Sequence, residues 1–316
     1  MRILVTGGMG FIGHNVVAQL ERLGHDVLTI DNYTNYGIVS SIELTALVKE
    51  RAKKVDAMCH PYDIVDQISV DRTFSGFKPD IVIHLASFPR QKAVGLDPSA
   101  ASRTMSEGLL TLCEVSAKHK VKRFVYISSS MVYGNFADGT NERTPCNPIG
   151  QYGIMKLAGE MLVKDYANRG CFDYTILRPS AVYGPLDVND RVIAKFIIAA
   201  MQDKLLEVNG PNERLDFTYV EDTAAGIVGA SLSDTAMNYT YNITRGDGVS
   251  LQEAASIVTT IVGKGKLKLA DRDNTFPSRG ALDISAARRD FGYNPTMNIS
   301  EGIQRYYEYL NTAFWS

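Results

Sequence analysis

Cysteine is scarce and unpatterned. The four residues, Cys59, Cys113, Cys146 and Cys171, show no CxxC spacing, so no zinc or other metal site and no disulfide framework is expected, and a reducing cytoplasm is the expected home. Charge of one sign is lacking too: 33 basic against 35 acidic side chains leave a net charge of −2. Without a cationic excess, neither nucleic acid nor an acidic membrane surface is an expected partner. No long apolar run is present either. The N-terminal "MRILVTGGMGFIG" carries one basic residue and is broken by glycine, too short for a spanning helix and wrongly built for a secretory leader. Proline-rich linkers, charge runs and internal repeats are missing as well, so the 316 residues read as one large unit or two closely joined lobes.

What is present is alternation. Short apolar runs, "RILVT" (2–6), "DVLTI" (26–30), "DIVIHL" (80–85), "RFVYIS" (123–128) and "YTILRPS" (174–180), are separated by stretches with helical spacing near 11–23, 101–119 and 152–168. Successive βα units of this kind predict an α/β fold with a parallel, doubly wound sheet. After Pro185 the pattern becomes mixed, with helices expected near 190–202, 221–232, 250–262 and 300–312 and a strand at "LDFTYV" (215–220). This tail predicts a smaller lobe. Residues 1–180 are accordingly read as a dinucleotide-binding domain and 181–316 mainly as the second lobe, with segments near 215–245 returning to the first.

The first strand runs directly into "TGGMGFIG" and then a helix. Gly7, Gly10 and Gly13 have the spacing that permits a tight turn, close approach of a pyrophosphate and packing of helix on sheet. The helix start would offer free N–H groups to phosphate. Asp31 ends the second strand, 18 residues beyond Gly13, where a carboxylate accepts hydrogen bonds from a ribose and repels an added phosphate, which favours NAD over NADP. Farther on, Tyr152 and Lys156 in "YGIMK" stand one helical turn apart and share a face. An ammonium beside a phenol favours the phenolate, so Tyr152 could serve as a base for a substrate hydroxyl. His84, inside a strand, reads as structural.

"TGGMGFIG", Asp31, "SSSMVYG", "YGIMK", "RPSAVYGP", "RLDFTYVED" and "RGALDISAARRDFGYNP" occur in the order seen in extended short-chain dehydrogenases/reductases. The chain resembles the NAD-dependent nucleotide-sugar epimerase/dehydratase family, UDP-glucose 4-epimerase-like, from Met1 to about Leu310. That resemblance implies a Rossmann-type domain, a C-terminal α/β lobe gripping a nucleoside-diphosphate sugar, and a homodimer through the helices near 101–119 and 152–168. It also implies roles. Ser129 would hydrogen-bond the sugar oxygen at C4, Tyr152 would exchange that oxygen's proton, and Lys156 would bind the nicotinamide ribose. Around NAD the resemblance places Phe11, Ile12, Asn32, Asp63, Ile64, Leu85, Ala86 and Ser87; around the substrate, Arg90, Ser130, Arg191, Val192, Arg214 and Arg279. Ser130, like Ser128, needs only a packing or turn role.

Relatives that dehydrate the sugar carry Asp-Glu where this chain has Ser130-Met131. Eliminating water needs a base and an acid, and methionine supplies neither. The resemblance therefore implies oxidation at C4, followed either by hydride return to the opposite face or by release of a 4-keto sugar. A 4,6-dehydratase, a decarboxylase and a non-catalytic NAD-binding sensor are the weaker readings. Met105 and Ala181 stand where the family usually has asparagine, which leaves the sugar and the base of the nucleotide open.

Overall fold

In the computed structural model, which describes residues 1–274 and 276–315, seven parallel strands form one sheet in the order β11-β6-β5-β4-β1-β2-β3. These are β1 (Arg2–Thr6), β2 (Asp26–Ile30), β3 (Met58–His60), β4 (Ile81–His84), β5 (Arg123–Ile127), β6 (Asp173–Pro179) and β11 (Tyr239–Ile243). Helices cover both faces, so the central strands are buried on both sides and read as continuous apolar runs rather than as alternating ones. β1 pairs with β2 on one side and β4 on the other. The chain reverses direction of winding there, and a crevice opens at the carboxyl ends of β1 and β4, where open α/β sheets bind ligands.

The remaining strands are short pairs: β7 (Val182–Tyr183) with β10 (Thr218–Tyr219), β8 (Leu205–Asn209) with β13 (Lys266–Ala270), and β9 (Arg214–Asp216) with β12 (Gly248–Ser250). With the helices Val192–Met201, Leu251–Val262 and Ile299–Trp315 they enclose a separate apolar cluster that includes Phe196, Phe217, Val258 and Tyr306. This cluster lies beside the crevice. Its loops therefore reach over the ligand site.

Three expectations are corrected. "LDFTYV" is not one strand: the buried carboxylate of Asp216 accepts N–H bonds from Arg245, Gly246 and Leu282, which breaks the chain between β9 and β10, and Val220 already opens the helix Val220–Leu232. The expected helix 101–119 is three pieces, with a π-helical turn, Arg103–Gly108, between Pro98–Ser102 and Leu109–Lys118. Strand β3 and the helices Ser41–Ala52 and Gln67–Phe77 are additions. β3 is three residues long and half-exposed, too short to show a period.

His84 is structural: buried in β4, it shares a 2.7 Å hydrogen bond with Thr6 Oγ1 and stacks on Tyr126. Burial pushes its pKa from 6.5 down to about 3. An unfolded chain takes up a proton here below pH 6.5 that the folded chain refuses until about pH 3, so this histidine's contribution to stability is present above pH 6.5 and is lost as the pH falls. The cost at pH 5 should be about 2 kcal/mol. Urea unfolding of wild type and His84→Gln at pH 7.5 and pH 5 should show the wild type losing that much more than the variant.

Candidate active site

Gly7 turns the chain at φ +72°, a region open to glycine, and its N–H donates to Ile30 O at 2.8 Å. A Cβ there would sit 2.7 Å from Ala86 N, and one on Gly13 would overlap Gly7 O. The backbone thus leaves a cradle that any side chain would fill. The helix Gly13–Arg22 starts at its rim with its positive end toward the cradle, the N–H groups of His14, Asn15 and Val16 already donating to Gly10 O and Ile12 O. Asp31 stands opposite, its carboxylate accepting from Met9 N at 3.0 Å and Tyr33 N at 2.9 Å. Burial pushes its pKa up, against these bonds and Arg51. The resulting cleft, about 220 Å³, is lined by Gly7, Gly10, Phe11, Ile12, Gly13, Asp31, Asn32, Ile64, Leu85, Ala86 and Ser87, and by Tyr152 and Lys156 at its far end. An elongated cleft with a glycine cradle in the middle and an acid at one end fits a dinucleotide. Asp63 is off the lining. It accepts from Asn32 Nδ2 at 3.0 Å and Val65 N at 3.1 Å, and so orients Asn32.

β5 ends at Ile127 and delivers the three serines to different tasks. Ser128 Oγ donates to the buried carboxylate of Glu160 at 2.5 Å. Ser129 is extended, caps the short helical turn Ser130–Tyr133 by accepting from Met131 N at 3.2 Å, and helps to hold the Tyr152 phenol pKa down against burial. Ser130 Oγ donates to Ser180 Oγ at 3.0 Å while still lining the neighbouring cleft. Tyr152 and Lys156 lie in the helix Gln151–Asn168, whose start is fixed by Tyr152 N donating to Gln91 Oε1 at 3.0 Å. Lys156 Nζ donates to Ile127 O at 2.7 Å and lies 5.9 Å from the Tyr152 ring centre.

The expected lowering of the tyrosine pKa by the lysine is not what the protein chain alone produces. Burial pushes Tyr152 up, opposed by Ser129 and Arg191, and burial pushes Lys156 down to about 7. Both groups lean neutral in a site this dry.

Glu160 is held by Arg178, Nε to Oε1 at 2.8 Å and Nη2 to Oε2 at 2.6 Å, and Arg178 Nη1 donates to Tyr133 Oη at 2.9 Å. Arg178→Met, which leaves the carboxylate buried and unpaired, should cost ~3–5 kcal/mol. Adding Glu160→Gln should return part of it. Urea denaturation of the single and double variants is the measurement.

A second, wider cleft of about 800 Å³ adjoins the first and is lined by Ser129, Ser130, Met131, Tyr152, Arg90, Arg191, Val192 and Arg279. Arg90 donates to Asp190 Oδ2 at 2.8 Å, and Arg191 Nε lies 2.7 Å from Asp187 Oδ2. Arg279 is pushed down to about 10 by burial, with Glu213 opposing, and its Nε has no hydrogen-bond partner. Arg272 was not legible from motif. It lines the same cleft, pairs with Glu213 at 3.2 Å and also leaves Nε without a partner. Donors buried without acceptors are costly unless a ligand meets them, and two guanidiniums suit a diphosphate. Arg214 is placed elsewhere. Glu213 and Leu215 line the cleft, so strand alternation turns Arg214 away, and it donates to Gly248 O at 2.6 Å. No cluster of potential metal ligands exists among the described residues.

A parallel sheet with a glycine cradle, joined to a serine, tyrosine and lysine at the mouth of a second cleft, defines an extended short-chain dehydrogenase/reductase. The chain belongs to the NAD dependent epimerase/dehydratase family, whose model matches residues 3–244. It is 28% identical to an uncharacterized UDP-glucose epimerase, YtcB, of Bacillus subtilis over 99% of both chains. It is also 28% identical to a dTDP-glucose 4,6-dehydratase of Streptomyces niveus, over 100% of this chain and 95% of that one. Among solved structures, the UDP-glucuronic acid 4-epimerase of Bacillus cereus, in complex with UDP-glucuronic acid and NAD, superposes with a TM-score of 0.90 at 27% identity over 99% of this chain and 100% of that one. The cofactor is NAD, and the cradle and Asp31 fit it.

Proposed function

We propose that this enzyme is a nucleotide-sugar 4-epimerase, with Tyr152 as its acid and base. The observation that carries the reading is the meeting of the two clefts at Tyr152, with Ser129 and Met131 beside it on the wall of the wider one, where a methionine stands instead of a group that could protonate a leaving hydroxyl. A sugar seated in the wider cleft presents its C4 oxygen to both residues. Ser129 hydrogen-bonds that oxygen, and Tyr152 withdraws its proton. NAD, when bound, supplies a hydride acceptor facing C4 and a positive charge that favours the phenolate. Lys156, near neutrality on its own, gains its role beside the nicotinamide ribose. A 4-keto sugar that turned over in the cleft would take the hydride back on the opposite face of C4, and Tyr152 would return the proton to the oxygen.

Arg272 and Arg279 supply the diphosphate contact in this reading, and the sugar lies between them and Tyr152. The relatives' substrates make UDP-sugars the first to try. A 4-dehydrogenase or 4-keto reductase shares every step up to the ketone and differs only in whether the ketone leaves. Dehydration demands an acid that Met131 does not provide.

Incubating the enzyme with UDP-glucose, UDP-glucuronic acid and the dTDP-, GDP- and CDP-sugars should give a C4 epimer by NMR without build-up of NADH. Stoichiometric NADH with a keto product would sink the reading in favour of a dehydrogenase, and a 4-keto-6-deoxy product in favour of a dehydratase. Tyr152→Phe should lower turnover by at least about a hundredfold, general acid–base work being worth ~10²–10⁴-fold, while bound NAD stays unchanged.

A further inference from the structure

Helix Ser41–Ala52 ends in Arg51, which is 4% exposed. Its guanidinium donates to Leu186 O from Nε at 3.1 Å and Nη2 at 2.7 Å, and to Met9 O from Nη1 at 3.2 Å. One side chain therefore joins the glycine loop to the segment that follows β7. Leu186 is held at φ +66°, a conformation that a leucine keeps only where its surroundings impose it. Four residues on, Asp190 is gripped by Arg90 and Lys92 at 2.8 Å and by Lys195 at 3.0 Å. Arg90 and Lys92 follow β4 of the main sheet, so the segment is tied to that unit at both ends. Between the ties, Asp187, Val188 and Arg191 line the dinucleotide cleft. Asp187 is buried against Arg191, and Arg191 lies 6.0 Å from the ring of Phe11 in the glycine loop.

We propose that Gly184–Arg191 is a strap across the bound dinucleotide, and that Arg51 is the positioning residue that latches it and sets the rate at which NAD leaves. A fork of guanidinium donors spanning two backbone carbonyls has no equivalent in a lysine, which donates from one point. The Arg51 tie is made beside the dinucleotide cleft, at Met9 and Leu186, while Asp190 and Arg191 at the far end of the strap also line the sugar cleft. The inference rests on NAD as cofactor, not on the reaction proposed for it.

The test measures NAD release from the purified holoenzyme with no sugar present, using an NAD glycohydrolase as a trap for the free cofactor and quantifying what remains on the protein after gel filtration. Wild type should retain close to one NAD per chain. Arg51→Met should release it at least about tenfold faster, and Arg51→Lys should fall between the two. A folded Arg51→Met that releases NAD at the wild-type rate overturns the proposal, as does a wild type that loses its NAD on a desalting column. If Arg51→Met does not fold, Asp190→Asn decides. Faster release supports the strap, and an unchanged rate overturns it. Because no sugar is present, failure here leaves the epimerase reading untouched, and failure of that reading leaves the release rates interpretable.

Discussion

The buried pair of Glu160 and Arg178 is the interaction on which the site's geometry depends. Glu160 belongs to the helix that carries Tyr152 and Lys156, and Arg178 to β6, while Ser128 and Tyr133, at the two ends of the serine turn, bond to one partner each. Tyr133 passes the chain of bonds to Asn242 of β11 at 2.8 Å. One ion pair thus fixes the distance between Tyr152 and Ser129, the two residues proposed to share the substrate oxygen. A buried pair of this kind gives little net stability over an apolar replacement. Its effect is on placement, where an error of an ångström at the reacting atoms is expensive.

That rigidity matters because the electrostatics of the site are unfinished in the protein alone. Burial raises Tyr152, against Ser129 and Arg191, and lowers Lys156 to about 7, against Glu160, so the site on its own disfavours the charged form of both. The lysine ammonium is turned to Ile127 O rather than to the phenol. The cofactor cleft opens onto both side chains, so the missing positive charge and the missing ribose hydroxyls arrive with the same molecule. A tyrosine that stays protonated until NAD is in place cannot act without it, which couples cofactor occupancy to reactivity. A strap that retains NAD would keep the base permanently poised.

The glycine cradle, Asp31 and the helix that bears Tyr152 and Lys156 were legible in the sequence because each depends on local rules: turn geometry, a helix N-terminus, a spacing of four. The first two strands were legible to the residue, being fully apolar and bounded by polar ends. Arg51, Asp187 and Arg272 were not. Arg51 takes its place through Leu186, 135 residues away in the chain, and Arg272 through Glu213, in a different segment; a single arginine carries no mark of such a partner. Arg214 shows the opposite failure. Motif order put it near the substrate, yet the alternation of β9 hands the cleft to Glu213 and Leu215, a distinction of one residue that only the strand's register makes.

Met131 and Met105 act together in a way their separate positions conceal. The π-helical turn Arg103–Gly108 brings Thr104 to the dinucleotide cleft and buries Met105 in the cluster that holds Tyr152 and Phe88, against which Met131 and Met155 also pack. An inserted turn of this kind commonly marks a functional segment. Here it completes a wall of thioethers around one side of the tyrosine. Such a wall keeps water from one side of Tyr152 and strengthens the few polar contacts inside. In the proposed reaction, a ketone formed beside Met131 meets a thioether there in place of an acid, so the course that needs nothing further from that position is the return of hydride and proton.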